Sequence, residues 1–122
     1  YYRKSKKAFK RSRGDSTMGK RKDPIVNAFA QIVKKNFSPC RMILFGSRAT
    51  GKAKKESDYD FIIISSKFKK VEWEDRSNKA YHLKRNISAA MDIMCYTPEE
   101  FEIKKKQIGI VQQAVKEGIV II

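Results

Sequence analysis

A chain of 122 residues has the length to bury one modest hydrophobic core and not two, so a single catalytic or binding module is expected. Its formal charge of +15 is concentrated at one end: residues 1–22 hold ten Lys and Arg against Asp15 alone, whereas residues 23–122 hold eighteen bases and twelve acids. The longest apolar runs, such as Phe61–Ile64 and Ile119–Ile122, have four residues against the roughly 18 that a membrane span needs, which argues against a spanning helix.

The basic segment also lacks the apolar core of a secretion signal. With so few apolar residues it cannot offset its own ordering entropy, and residues 1–22 are expected to be a disordered tail ahead of a domain at 23–122. One reading makes the tail a weak nucleic-acid-steering arm. The other, which is the expectation, makes it a solvated tail or leftover sequence foreign to the protein, since the chain opens on Tyr1 and Met18-Gly19-Lys20 has the form of a natural start. Cys40 and Cys95 do not have metal-ligand spacing, and buried thiols in a reducing cytoplasm are expected.

Asp23-Pro24 opens a helix, with Asp23 as N-cap and Pro24 at the first position, where its missing N–H costs nothing. Ile25, Phe29, Ile32 and Val33 define its predicted buried face, and Pro39 sets its end near Asn36. Arg41–Phe45 reads as a strand covered on both faces. Gly46 then permits a tight turn, and a short helix within 47–53 is expected to favour an anion at its start. Lys52, Lys54 and Lys55 follow in a loop, as phosphate or nucleic-acid contacts or, as expected, a solvated charge run.

Tyr59–Ile64 reads as the second strand, and an amphipathic helix over Val71–Ile87 is predicted to bury Trp73, Ala80, Leu83 and Ile87. His82 on that helix has no second histidine or cysteine at metal spacing and is assigned no chemistry. Ala90–Tyr96 reads as a third strand with one acid, Asp92, in an apolar run. An unpaired buried carboxylate is costly, so Asp92 belongs either at the strand's exposed end or beside a partner such as a metal. Thr97-Pro98-Glu99-Glu100 spells a capping box, opening a helix with Phe101, Ile108, Val111 and Val115 inward, weakened or split at Gly109 and closed by Gly118. Ile119–Ile122 is expected to form a short terminal strand.

The acids and the turn combine into a constellation. Side chains two apart on a strand share a face, so Asp58 and Asp60 can present carboxylates together, and Asp92 can join them if the third strand pairs nearby. Three hard oxygen donors suit Mg²⁺ or Mn²⁺, which commonly bind with substrate phosphates, and the Gly46-Ser47 turn offers those phosphates a place. Either half alone is a common polar turn. Their order along the chain points to two-metal phosphoryl or nucleotidyl transfer.

Gly46-Ser47, ten intervening residues and Asp58-x-Asp60 resemble the Gly-Ser-x10-Asp-x-Asp signature of the DNA polymerase beta-like nucleotidyltransferase superfamily. The closest likeness is to its minimal nucleotidyltransferases, through Gly46-Ser47-Arg48-Ala49-Thr50-Gly51, Ser57-Asp58-Tyr59-Asp60, Asp92 and Tyr96–Phe101 to Glu117-Gly118. Thr50 departs from a frequent Arg and removes one possible phosphate contact. The resemblance implies an α+β fold, a small mixed sheet flanked by helices. It implies that Gly46 and Ser47 hold the nucleotide's phosphates, that Asp58 and Asp60 bind both metals, and that Asp92 shares one metal and helps activate the attacking hydroxyl.

The implied activity is transfer of a nucleoside monophosphate, AMP from ATP as the expected case, to an acceptor hydroxyl with Mg²⁺ or Mn²⁺ as cofactor. Larger relatives add a second domain for base and acceptor. In minimal members a separate helical HEPN protein is often the partner, and the pair can act as toxin and antitoxin. The competing reading is a non-catalytic subunit that keeps the fold and binds a protein or nucleic acid. Intact Ser47, Asp58, Asp60 and Asp92 favour the enzyme.

Overall fold

The computed structural model describes residues 23–122, so the basic segment 1–22 and the expectations attached to it lie outside the described residues. Helix α1 (Pro24–Phe37) starts as its sequence dictates, the Asp23 carboxylate accepting from the N–H groups of Ile25 and Val26 at 3.0 and 3.3 Å. Its buried stripe is Val26, Phe29, Ala30, Val33 and Phe37. That face is rotated from the predicted one, for Ile25 and Ile32 are only half-buried and pack at the rim of the core.

Strand β1 (Cys40–Phe45) pairs antiparallel with β2 (Tyr59–Ser65), and β2 pairs parallel with β3 (Met91–Tyr96). A parallel pair needs a crossover, which helix α3 (Trp73–Leu83) provides between them. The one-turn helix α2 (Ser47–Thr50) lies between β1 and β2. Beyond β3 come α4 (Pro98–Lys104), α5 (Ile110–Glu117) and β4 (Ile119–Val120), which pairs antiparallel with the free edge of β1. The sheet order is β3-β2-β1-β4, a mixed sheet with helices on both faces, the α+β architecture the sequence predicts.

Alternation along the strands divides the core in two. Met42, Leu44, Tyr59, Phe61, Ile63, Ile93 and Cys95 face the side of α1, where Phe29 meets Phe61 at a centroid distance of 5.0 Å. Ile43, Ile62, Ile64 and Tyr96 face the other side, packed with Phe101, Val111, Ala114 and Val115 of α4 and α5. Burial on both faces explains the near-continuous apolar runs in β1 and β2.

Two predicted helices need correction. Helix α3 is shorter at both ends than Val71–Ile87, and Trp73, expected inside, is 48% exposed and rests on Tyr96 at the sheet edge with ring centroids 5.2 Å apart. Its buried residues are Arg76 and Ala80. Arg76 can turn inward because its guanidinium is satisfied there. It donates to both Glu100 carboxylate oxygens (2.6 and 3.2 Å), to the Val71 carbonyl (2.9 Å) and to the Cys95 carbonyl (3.4 Å). An apolar-spacing argument cannot see a charged residue in a buried stripe.

The second correction follows the break expected at Gly109. The chain leaves α4 in a turn, and Ile108, predicted to be buried, is carried out of helical register and is 97% exposed. The capping box at the start of α4 is complete, with Glu100 N–H donating to the Thr97 hydroxyl (3.1 Å) and Thr97 N–H to the Glu100 carboxylate (2.8 Å). His82 is exposed on α3, with no cluster around it among the described residues. Both cysteines are free; Cys95 is buried, which pushes its thiol up to about 12 against the opposing charge of Arg76, whereas Cys40 is only half-buried. No helix of the described residues is long and apolar enough to cross a membrane.

Glu100 thus serves Arg76 and the helix cap at once, and Arg76 with the cap's N–H groups holds its carboxyl below the ordinary 4.5 despite the opposing effect of burial. A carboxyl whose pKa falls on folding stabilises the fold above its unfolded value, and that stability is lost as pH falls through the folded one. Stability should therefore decline below about pH 4.5, and Glu100→Gln should flatten that decline in urea unfolding curves. At neutral pH Glu100→Ala should cost about 2 kcal/mol, below the range for a fully buried pair because the carboxylate is 40% exposed.

Candidate active site

Strand β1 ends at Phe45, and the chain turns at Gly46 with φ +73°, a conformation that side-chain-bearing residues rarely adopt. The Gly46 carbonyl then accepts from the N–H groups of Ala49 (3.0 Å) and Thr50 (3.2 Å), which closes the single turn of α2 with Ser47 at its first position. Space favours Gly46 as well. A β-carbon there would stand 2.2 Å from the Asp60 carboxylate oxygen, so the turn and the acid pack directly against each other.

Strand register places the acids. Phe45 of β1 lies opposite Asp60 of β2, and Asp60 lies opposite Asp92 of β3, so the three form one row across the end of the sheet. The row is on the face that carries Ile43, Ile62 and Tyr96. Asp60 is half-buried and Asp92 is exposed on the edge strand, which answers the choice posed for Asp92 in favour of the exposed end.

The second strand starts where the sequence reading sets it, which leaves Asp58 just ahead of the ladder. Strand β2 begins at Tyr59, so Asp58 is an exposed loop residue, and the strand-spacing argument does not by itself align it with Asp60. Its charge still reaches the row. Burial, then the negative charge of Asp92, then that of Asp58 raise the pKa of Asp60.

The donor set fits a divalent cation in kind. The charges of Asp92 and Asp58 both reach Asp60, and among the described residues no Lys or Arg forms an ion pair with any of the three. Hard cations favour such oxygen donors. The side chains are not, however, gathered into a ready-made cluster: among the described residues no three His, Cys, Asp or Glu side chains converge to hold an ion. Like charges repel, which opposes a tighter approach of the three.

A cleft of about 170 Å³ opens beside the turn, lined by Phe45, Gly46, Ile110, Gln113, Ala114 and Glu117. Its α5 residues are invisible to motif reading because only the packing of α5 over β1 brings them to Gly46. A larger cleft of about 620 Å³ includes Cys40, Ile64, Ser66 and Pro98, at the opposite end of β1 and β2 from the acids, and takes no part in this arrangement. Lys52, Lys54 and Lys55 are exposed, as both readings of that run require.

The family model Polymerase beta, Nucleotidyltransferase matches residues 27–122, nearly the whole of the described chain, and the chain belongs to that family. Among solved structures, a candidate nucleotidyltransferase from Sulfolobus solfataricus is similar with a TM-score of 0.54 at 22% identity, over 79% of this chain and 75% of that one. BolA1 from Arabidopsis thaliana is similar with a TM-score of 0.53 at 21% identity, over 64% of this chain and 96% of that one. At these identities both likenesses are of fold alone. No curated protein matches the chain.

Gly46→Ala tests the contact between turn and acid. It should lower stability by about 1–2 kcal/mol in urea unfolding, because an alanine at this positive φ is strained and its methyl group must displace the Asp60 carboxylate.

Proposed function

We propose that the protein is a metal-dependent nucleotidyltransferase that moves AMP from ATP to an acceptor hydroxyl. The observation that carries this reading is the register row, which sets Asp60 opposite Asp92 with the Gly46 turn packed on the Asp60 carboxylate. In this reading Gly46 and Ser47 hold the phosphates, and Asp58, Asp60 and Asp92 hold Mg²⁺ or Mn²⁺. Bound there, such ions neutralise phosphate charge and acidify a hydroxyl.

The reaction forms an oxygen–phosphorus bond between the acceptor hydroxyl and the α-phosphorus. The α–β phosphoanhydride bond breaks, and its electron pair leaves on pyrophosphate. In this reading Asp92 takes the acceptor's proton at a carboxylate oxygen, a role that its exposure on the edge strand supports. Gly46 leaves the Asp60 carboxylate its space, since a β-carbon there would collide with it.

The acceptor in this proposal is carried by a separate helical protein of HEPN type, the chain acting as the antitoxin of the pair in the cytoplasm. The family resemblance supports that part, together with the exposed apolar side chains Ile103, Ile108 and Ile110 around the α4–α5 turn, 60%, 97% and 54% accessible.

Asp58→Asn and Asp60→Asn should each abolish Mg²⁺-dependent ATP binding, read by nucleotide titration, while circular dichroism stays that of the parent. Transfer of label from α-labelled ATP to a co-purifying protein should need Asp58, Asp60 and Asp92. Partner binding that is indifferent to all three acids, with no transfer, would establish the non-catalytic subunit instead.

A further inference from the structure

Strand pairing fixes Asp60 and Asp92, but Asp58 precedes the ladder and needs another device to hold it. The device is visible in the two peptide units that flank it. The Tyr59 N–H donates to the Ala90 carbonyl at 3.0 Å, which pins the peptide after Asp58. The Ser57 carbonyl, belonging to the peptide before Asp58, accepts from Arg48 Nε at 3.2 Å and Arg48 Nη2 at 2.8 Å. The same Nη2 donates to the Lys55 carbonyl at 3.2 Å, so one guanidinium gathers the approach to Asp58.

The guanidinium is itself located. Its central carbon stands 4.2 Å from the centroid of the Tyr59 ring, a cation–π contact. The Tyr59 ring is buried against Phe61, and its hydroxyl donates to the Asp23 carboxylate at 3.0 and 3.2 Å. Asp23 is the N-cap of α1. A continuous chain of contacts therefore runs from the start of α1 through the residue between the two acids to α2, the turn that carries Ser47.

We propose that Arg48, seated on Tyr59, is a positioning residue that presents Asp58 to the divalent ion and locks it to the phosphate-facing turn. This inference rests on the nucleotidyltransferase reading above. Arg48 acts through the backbone of the Asp58 loop, for among the described residues it forms no ion pair with Asp58, Asp60 or Asp92. Lysine could not replace it, having neither the planar fork for two carbonyls nor the flat face for the ring.

The test is a double-mutant cycle of Arg48→Gln and Asp58→Asn in the full chain, read by ATP titration with and without Mg²⁺ and by Mn²⁺ binding in electron paramagnetic resonance. Loss of support behind a metal ligand should weaken Mn²⁺ binding and Mg²⁺-dependent ATP binding about tenfold in Arg48→Gln. In the Asp58→Asn background the same change should leave the residual ATP affinity unaltered, because the residue through which Arg48 acts has already lost its charge. A further loss there would mean that Arg48 touches phosphate directly and would overturn the positioning role. Parent-like behaviour of Arg48→Gln, with Asp58→Asn impaired, would also overturn it while leaving the nucleotidyltransferase reading standing. If the parent and Asp58→Asn bind ATP alike whatever the metal, that reading falls and this inference with it. Should Arg48→Gln lack the parent's circular dichroism, Arg48→Lys takes its place in the cycle with the same outcomes.

Discussion

The register of three strands is the constraint on which the rest depends. Phe45, Asp60 and Asp92 come from segments far apart in the chain, and only the antiparallel pairing of β1 with β2 and the parallel pairing of β2 with β3 set them in one row. A slip of one residue in either pair would send an acid to the opposite face, into the apolar cluster around Phe29 and Phe61. The register is therefore enforced by the same alternation that fills the two cores. Placement of the acids at the sheet end and burial in its middle are one specification.

Charge at that end is concentrated and left without a counter-ion from the described residues. Elsewhere the chain settles its buried charge internally, as Arg76 shows with Glu100 and two carbonyls. Asp60 instead sits half-buried beside two further negative charges, and its pKa rises accordingly. Such an arrangement of like charges costs stability in the isolated protein, and a cation at the proposed site would relieve it. Among the described residues the acids form no converged cluster, and Asp58 lies outside the strand ladder.

Backbone support around the acids is uneven. Asp60 and Asp92 inherit their positions from the sheet, whereas Asp58 depends on side chains from two other elements. Arg48 from the turn after β1 and Tyr59 from the start of β2 meet over that loop, and Tyr59 is tied in turn to the cap of α1. The Gly46 turn presses on Asp60 from the other direction. Phosphate-facing and metal-facing parts of the proposed site are thereby coupled through contacts that do not involve ligand.

Local chemistry was legible without coordinates wherever it acts over a few residues. Asp23-Pro24 and Thr97-Pro98-Glu99-Glu100 announce helix starts because a cap needs only its own turn, and Gly46 announces a turn because only glycine accepts that backbone. The apolar runs determined the strands, and the spacing from Gly46-Ser47 to Asp58-x-Asp60 determined the family. Tertiary structure decided what spacing cannot carry: that Arg76 turns inward while Trp73 turns out, that Ile108 leaves its helix face, and that α5 walls a cleft beside Gly46. It also decided that Arg48, one letter of a signature along the chain, donates to the Ser57 carbonyl just ahead of Asp58. Each of these turns on a partner distant in sequence, and no pattern along the chain contains the distance between two side chains that meet only after folding.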